Sequence, residues 1–130
     1  MPGENGKAKR ILIVEDDPAL RHSMSTLLEK ENYVVIVAEN GRLGLEKALS
    51  EKPDLILLDL LMPELSGQGM LDDLRKDEWG KTAKVIVLTN LDKPRPIYDT
   101  LVDNGAISYL IKANTSVTQL AEHVKNALAD

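Results

Sequence analysis

Short unbroken apolar runs recur along the chain, and between them apolar residues return every three or four positions. The runs are RILIV (Arg10 to Val14), YVVIVA (Tyr33 to Ala38), the LILL centre of Asp54 to Asp59, KVIVL (Lys84 to Leu88, closing at Thr89) and Ala106 to Ile111. Continuous, β-branched runs of this length predict the strands of a parallel sheet, whose central members are buried on both faces. The intervening segments carry helical spacing. Leu20, Met24, Leu27 and Leu28 share one face of Ala19 to Glu31; Leu45, Ala48 and Leu49 share one face of Arg42 to Ser50. Met70, Leu71 and Leu74 point a third helix, Met70 to Glu78, inward. A short fourth helix is expected from Pro96 to Asn104, and a fifth runs from a Ser116 cap to about Leu128.

Punctuation agrees with this division. Asp17 before Pro18 is an N-cap followed by proline in the first turn. Asn32, Asn40-Gly41, Pro53 and Gly105 end or turn their segments, and Pro63 and Gly67 mark Leu60 to Gln68 as loop, with Gly67 in a turn. Five strands alternating with five helices predict an α/β fold, a flavodoxin-like doubly wound parallel sheet of order 2-1-3-4-5 with right-handed crossovers. Residues 1–8 are expected to be a flexible polar segment and residues 9–130 a single domain.

Composition narrows the chemistry. An apolar share of 43% suffices for a core, but Phe is absent, so aliphatic side chains must build it. The absence of Cys removes disulfides, thiolate catalysis and cysteine-ligated zinc. The histidines, His22 and His123, lack metal-ligand spacing and are expected on helix surfaces. A formal charge of -5 argues against a domain that holds nucleic acid by neutralising phosphates. No apolar run nears the roughly 18 residues of a membrane span, and MPGENGKAK has no signal-peptide core. A cytoplasmic protein bound to neither membrane nor nucleic acid is expected.

In doubly wound sheets ligands bind beyond the carboxyl ends of the strands, where strand order reverses. Strand one ends in Glu15 and Asp16, strand three in Asp59, strand four in Thr89, and strand five leads into Lys112. Carboxylates about 5 Å apart repel by roughly 3 kcal/mol at an effective dielectric of about 20. Such a cluster suits a hard divalent cation better than it suits the fold. Asp17 is read as a helix cap and Asp54 as a polar strand start.

The runs ILIVEDDPALR (Ile11 to Arg21), PDLILLDLLMPELSG (Pro53 to Gly67), VIVLT (Val85 to Thr89) and GAISYLIK (Gly105 to Lys112) together resemble bacterial response-regulator receiver domains of two-component systems. The resemblance spans nearly the whole chain. It implies that Asp59 is the phosphoacceptor, served by a sensor histidine kinase, a phosphotransfer protein or a small acyl phosphate. It further implies Mg2+, with Mn2+ able to substitute, held by Asp16, Asp59, the Leu61 backbone carbonyl and, through water, Glu15. Lys112 and Thr89 would bind phosphoryl oxygens. Thr89 and Tyr109 would switch the surface formed by the fourth and fifth helices and the fifth strand, read by a downstream protein target or effector domain, with phosphorylation-dependent dimerisation as one form of output. Tyr109 is equally readable as a packed rim aromatic. The protein is then an acceptor switch rather than an enzyme.

Three positions depart from the family pattern. Ala113 stands where Pro usually follows the Lys, so a trans bond after Lys112 is expected. Asn90 follows the Thr, and apolar Leu61 stands two residues after the acceptor. Neither supplies a base for water, so slow self-hydrolysis is expected. Pro94 and Pro96 should shorten the fourth helix. A receiver-shaped binding module that works without phosphorylation is the alternative function. EDDPAL offers no phosphate cradle of flavodoxin type, and no G-x-x-x-x-G-K-[ST] segment is present.

Overall fold

The structure, a computed structural model, describes residues 8–59, 67–89, 108–111 and 116–129, with the backbone alone at 67, 68, 89, 108–111 and 117. The elements are β1 (Arg10–Val14), α1 (Pro18–Lys30), β2 (Val34–Ala38), α2 (Gly41–Glu51) and β3 (Leu55–Asp59), then α3 (Gly67–Leu74) and a 3-10 turn (Gly80–Thr82). β4 (Val85–Thr89), β5 (Ser108–Ile111) and the C-terminal helix α4 (Val117–Leu128) complete them. All four ladders are parallel and the order is β2-β1-β3-β4-β5, as the sequence pattern predicts. The expected helix over 96–104, with Pro94 and Pro96, lies outside the described residues. No helix among those described is long and apolar enough to cross a membrane.

Alternation along the strands sorts the core into two layers. Leu12, Val14, Ile56, Leu58, Val85 and Val87 face one way and pack with Ala48 of α2 and with Met70, Leu71 and Leu74 of α3. Ile11, Ile13, Leu55, Leu57, Ile86 and Leu88 face the other way, onto Met24 and Leu28 of α1 and Leu120 and Val124 of α4. Both faces of the central strands are therefore buried, which is why their runs show no polar alternation.

Local chemistry sets most element ends. The Asp17 carboxylate accepts from the Ala19 and Leu20 N–H groups, and α1 ends before Asn32, whose φ of 72° is the left-handed conformation Asn tolerates. Asn40 caps α2 by accepting from Leu43 N–H at 2.8 Å. Ser116 and Gln119 form a reciprocal capping box at the start of α4. Tyr33, expected in the second strand, precedes it and donates its N–H to the Leu28 carbonyl at 3.1 Å. The Asp54 carboxylate accepts from Arg10 N–H at 2.8 Å, tying the start of β1 to the approach to β3.

The third helix differs from its expected span. It starts at Gly67, placed in a turn by sequence, and stops at Leu74 rather than Glu78. Beyond it the Asp77 carboxylate accepts from Trp79 and Gly80 N–H groups, and the Arg75 guanidinium donates to the Gly80 and Ala83 carbonyls at 2.6 and 2.8 Å. These bonds reverse the chain and set Trp79 against the core. A Cβ at Gly80 would lie 2.0 Å from the Leu74 carbonyl oxygen, so no larger residue fits this reversal.

Candidate functional site

The parallel register of β1 and β3 pairs Ile13 with Leu57 and Val14 with Leu58. One step further along, it brings Glu15 beside Asp59. Both alternate onto the face of Ile13 and Leu57, and both are buried, at 0% and 3% exposure. Asp16, the next residue, is exposed. Carboxylate oxygens of Glu15, Asp16 and Asp59 all lie within 4.8 Å of one another.

The turn that carries the first two acids is closely tied. Glu15 N–H donates to the Ala38 carbonyl at 3.0 Å, extending the contact between β1 and β2 by one residue. Its Oε2 accepts from Asp17 N–H at 3.1 Å, while the Asp17 carboxylate is occupied at the start of α1. Asp17 is thus a cap, and the cluster consists of its two predecessors and Asp59. Among the described residues no group donates a hydrogen bond to the Asp16 carboxylate.

Three carboxylate oxygens so close, two of them on buried residues, repel one another. Their chemistry fits magnesium: hard carboxylate donors, few enough to leave room for waters and a phosphate oxygen. Among the described residues this is the group of acids and histidines spaced to hold a metal. His22 and His123 are exposed on their helices, as expected.

Thr89 is the last residue of β4, directly after Leu88, which pairs with Asp59, and it pairs with Ile111 at the end of β5. Its backbone therefore borders the same end of the sheet. The side chains of Thr89 and Tyr109, and all of Lys112, Leu61, Asn90 and Ala113, lie outside the described residues. Arg21 is a contributor for which the sequence assigned no role: its Nη1 donates to the Glu15 carbonyl at 2.8 Å. The available signal was a cation one turn into the helix that follows an acidic cluster.

The family model for the response regulator receiver domain matches residues 11–125. The chain is 37% identical over 118 residues to a nitrate/nitrite response regulator protein homolog of Haemophilus influenzae, covering 89% of this chain and 55% of that protein. It thus spans about half the length of that relative. A solved signal receiver domain of a histidine kinase from Syntrophus aciditrophicus superposes with a TM-score of 0.82 at 36% identity, over 93% of this chain and 90% of that one. The receiver domain of the sensor histidine kinase PA1611 from Pseudomonas aeruginosa gives a TM-score of 0.83 at 25% identity, over 95% of this chain and 100% of that one. Its crystal structure has a magnesium ion coordinated in the active site cleft.

Proposed function

The chain belongs to the response regulator receiver domain family of two-component systems, and we propose that Asp59 accepts a phosphoryl group from a phosphohistidine or a small acyl phosphate. The gathering of the Glu15, Asp16 and Asp59 oxygens within 4.8 Å carries this reading. A buried carboxylate beside two others destabilises a fold, but it can serve as a nucleophile once the surrounding charge is balanced. One Asp59 oxygen forms the new bond to phosphorus as the bond to the donor's imidazole nitrogen or acyl oxygen breaks. The leaving atom keeps the electron pair. Positioning and electrostatics supply most of the rate in such transfers.

Asp16 and Asp59 would hold Mg2+ directly, Glu15 through water, and the Leu61 carbonyl would complete the protein ligands. When bound, the ion neutralises the carboxylates and the charge on the phosphoryl oxygens. The magnesium in the Pseudomonas receiver and the donor set here both support its presence. Thr89 and Lys112 take the remaining phosphoryl oxygens, and Thr89 and Tyr109 relay the change to a downstream protein target or effector domain. The protein acts as a cytoplasmic acceptor switch, a single domain over residues 9–130, that loses its phosphoryl group slowly.

Intact-mass spectrometry after incubation with acetyl phosphate tests this. One added phosphoryl group is expected with magnesium, and none in chelator or in Asp59→Ala. Absence of the adduct together with no binding of magnesium or beryllofluoride would favour the phosphorylation-independent module.

A further inference from the structure

We propose that Arg21 is a positioning residue for the metal site: its guanidinium clasps the peptide plane from which Asp16 departs. This rests on the proposed magnesium site and adds a residue that no ligand set contains.

The turn from β1 to α1 must hold two acids against a third. Most of its ties are its own: Asp17 N–H on Glu15 Oε2 at 3.1 Å, and the Asp17 carboxylate on Ala19 N–H at 3.0 Å. They fix the Glu15 side chain and the start of the helix. They do not fix the peptide joining Glu15 to Asp16. That peptide's carbonyl is the group Arg21 Nη1 reaches, at 2.8 Å, and Arg21's own N–H is set by the Asp17 carbonyl at 2.9 Å. The side chain is half-buried and lines the same surface clefts as Val37 of β2.

The Asp16 side chain needs this help most. It is exposed, and no described group donates to its carboxylate. Among the described residues, then, only its backbone directs it. Rotation of the Glu15–Asp16 peptide would swing the carboxylate away from Asp59, the direction in which like charge already drives it. A cationic donor on the carbonyl opposes both effects, because charge-assisted hydrogen bonds are the stronger ones and the positive charge offsets the acids. Outer contacts of this kind typically alter metal affinity 10–100-fold.

Magnesium affinity is measured by calorimetry on wild type, Arg21→Met and Arg21→Lys, well below their melting temperatures. Arg21→Met keeps an unbranched apolar stem and is expected to weaken magnesium binding about tenfold. Arg21→Lys should fall between, since it keeps the charge and loses the fork. The rate of phosphorylation by acetyl phosphate, titrated with magnesium, should reach the wild-type plateau in all three, with only the half-saturating concentration raised. General damage to the fold would instead lower the plateau. Affinity within twofold of wild type in Arg21→Met, or a lowered plateau, overturns the role assigned to Arg21. A wild-type protein that binds no magnesium overturns the metal site itself, and this inference with it.

Discussion

If the acidic cluster serves function rather than folding, neutralising its central member should stabilise the metal-free protein. Asp59→Asn preserves shape and removes one charge. With oxygens within 4.8 Å, each pair of unit charges repels by about 3.5 kcal/mol at an effective dielectric of about 20. Loss of the Asp59–Glu15 pair, both members buried, accounts for most of the effect. The pair with exposed Asp16 is screened to under about 1 kcal/mol. Asp59 also makes contacts that an amide keeps only in part, which offsets some of the gain. A net stabilisation of about 2 kcal/mol remains, a rise of about 5–10 °C in Tm for a domain of this size. Thermal unfolding in chelator, followed by circular dichroism, reads it. Magnesium should then reverse the comparison. At about 100 times its dissociation constant it adds about 2.7 kcal/mol to the wild type, and much less to a variant lacking the Asp59 charge. A Tm for Asp59→Asn equal to or below that of wild type in chelator would instead make the carboxylate part of the fold's support.

Two further substitutions test the packing. In Gly44→Ala the new Cβ would meet both Val14 Cγ atoms at 2.8 Å and Met70 Sδ at 3.0 Å. Val14 is β-branched and strand-bound, so it cannot swing clear, and a net loss of about 1–3 kcal/mol is expected despite the better helix propensity of Ala. An unchanged urea midpoint would show that α2 can lift from the sheet. Lys52 holds a φ of 49° at the end of α2, a conformation costing a non-glycine residue roughly 1 kcal/mol or more. Lys52→Gly should stabilise by about 0.5 kcal/mol once the greater freedom of unfolded Gly is counted, read as a higher urea midpoint at unchanged slope. A lower midpoint would mean that the lysine's own contacts outweigh the strain.

Much of the architecture is legible residue by residue. Apolar runs without alternation announce parallel strands, and Asp17, Asn40 and Ser116 cap the helices they precede because a cap needs only a neighbour two or three residues away. The strand-ending acids are visible in the same way, as is the rule that such residues collect at one edge of a doubly wound sheet. The family resemblance is equally a property of the sequence.

Other features depended on how the segments pack together. The burial of Glu15 and Asp59 side by side follows from the β1–β3 register, which the packing of both sheet faces enforces. The third helix ends at Leu74 because Arg75 and Asp77 bind the backbone of a returning segment and Trp79 finds the core, overriding the local preference to continue. The contact of Asp54 with Arg10, and that of Arg21 with the Glu15 carbonyl, leave no periodic trace. Local sequence thus determined what each segment would become and which residues would stand at its ends. Only the packed sheet decided which of those ends meet, because a contact between distant residues exists only where burial of both faces holds their strands in a single register.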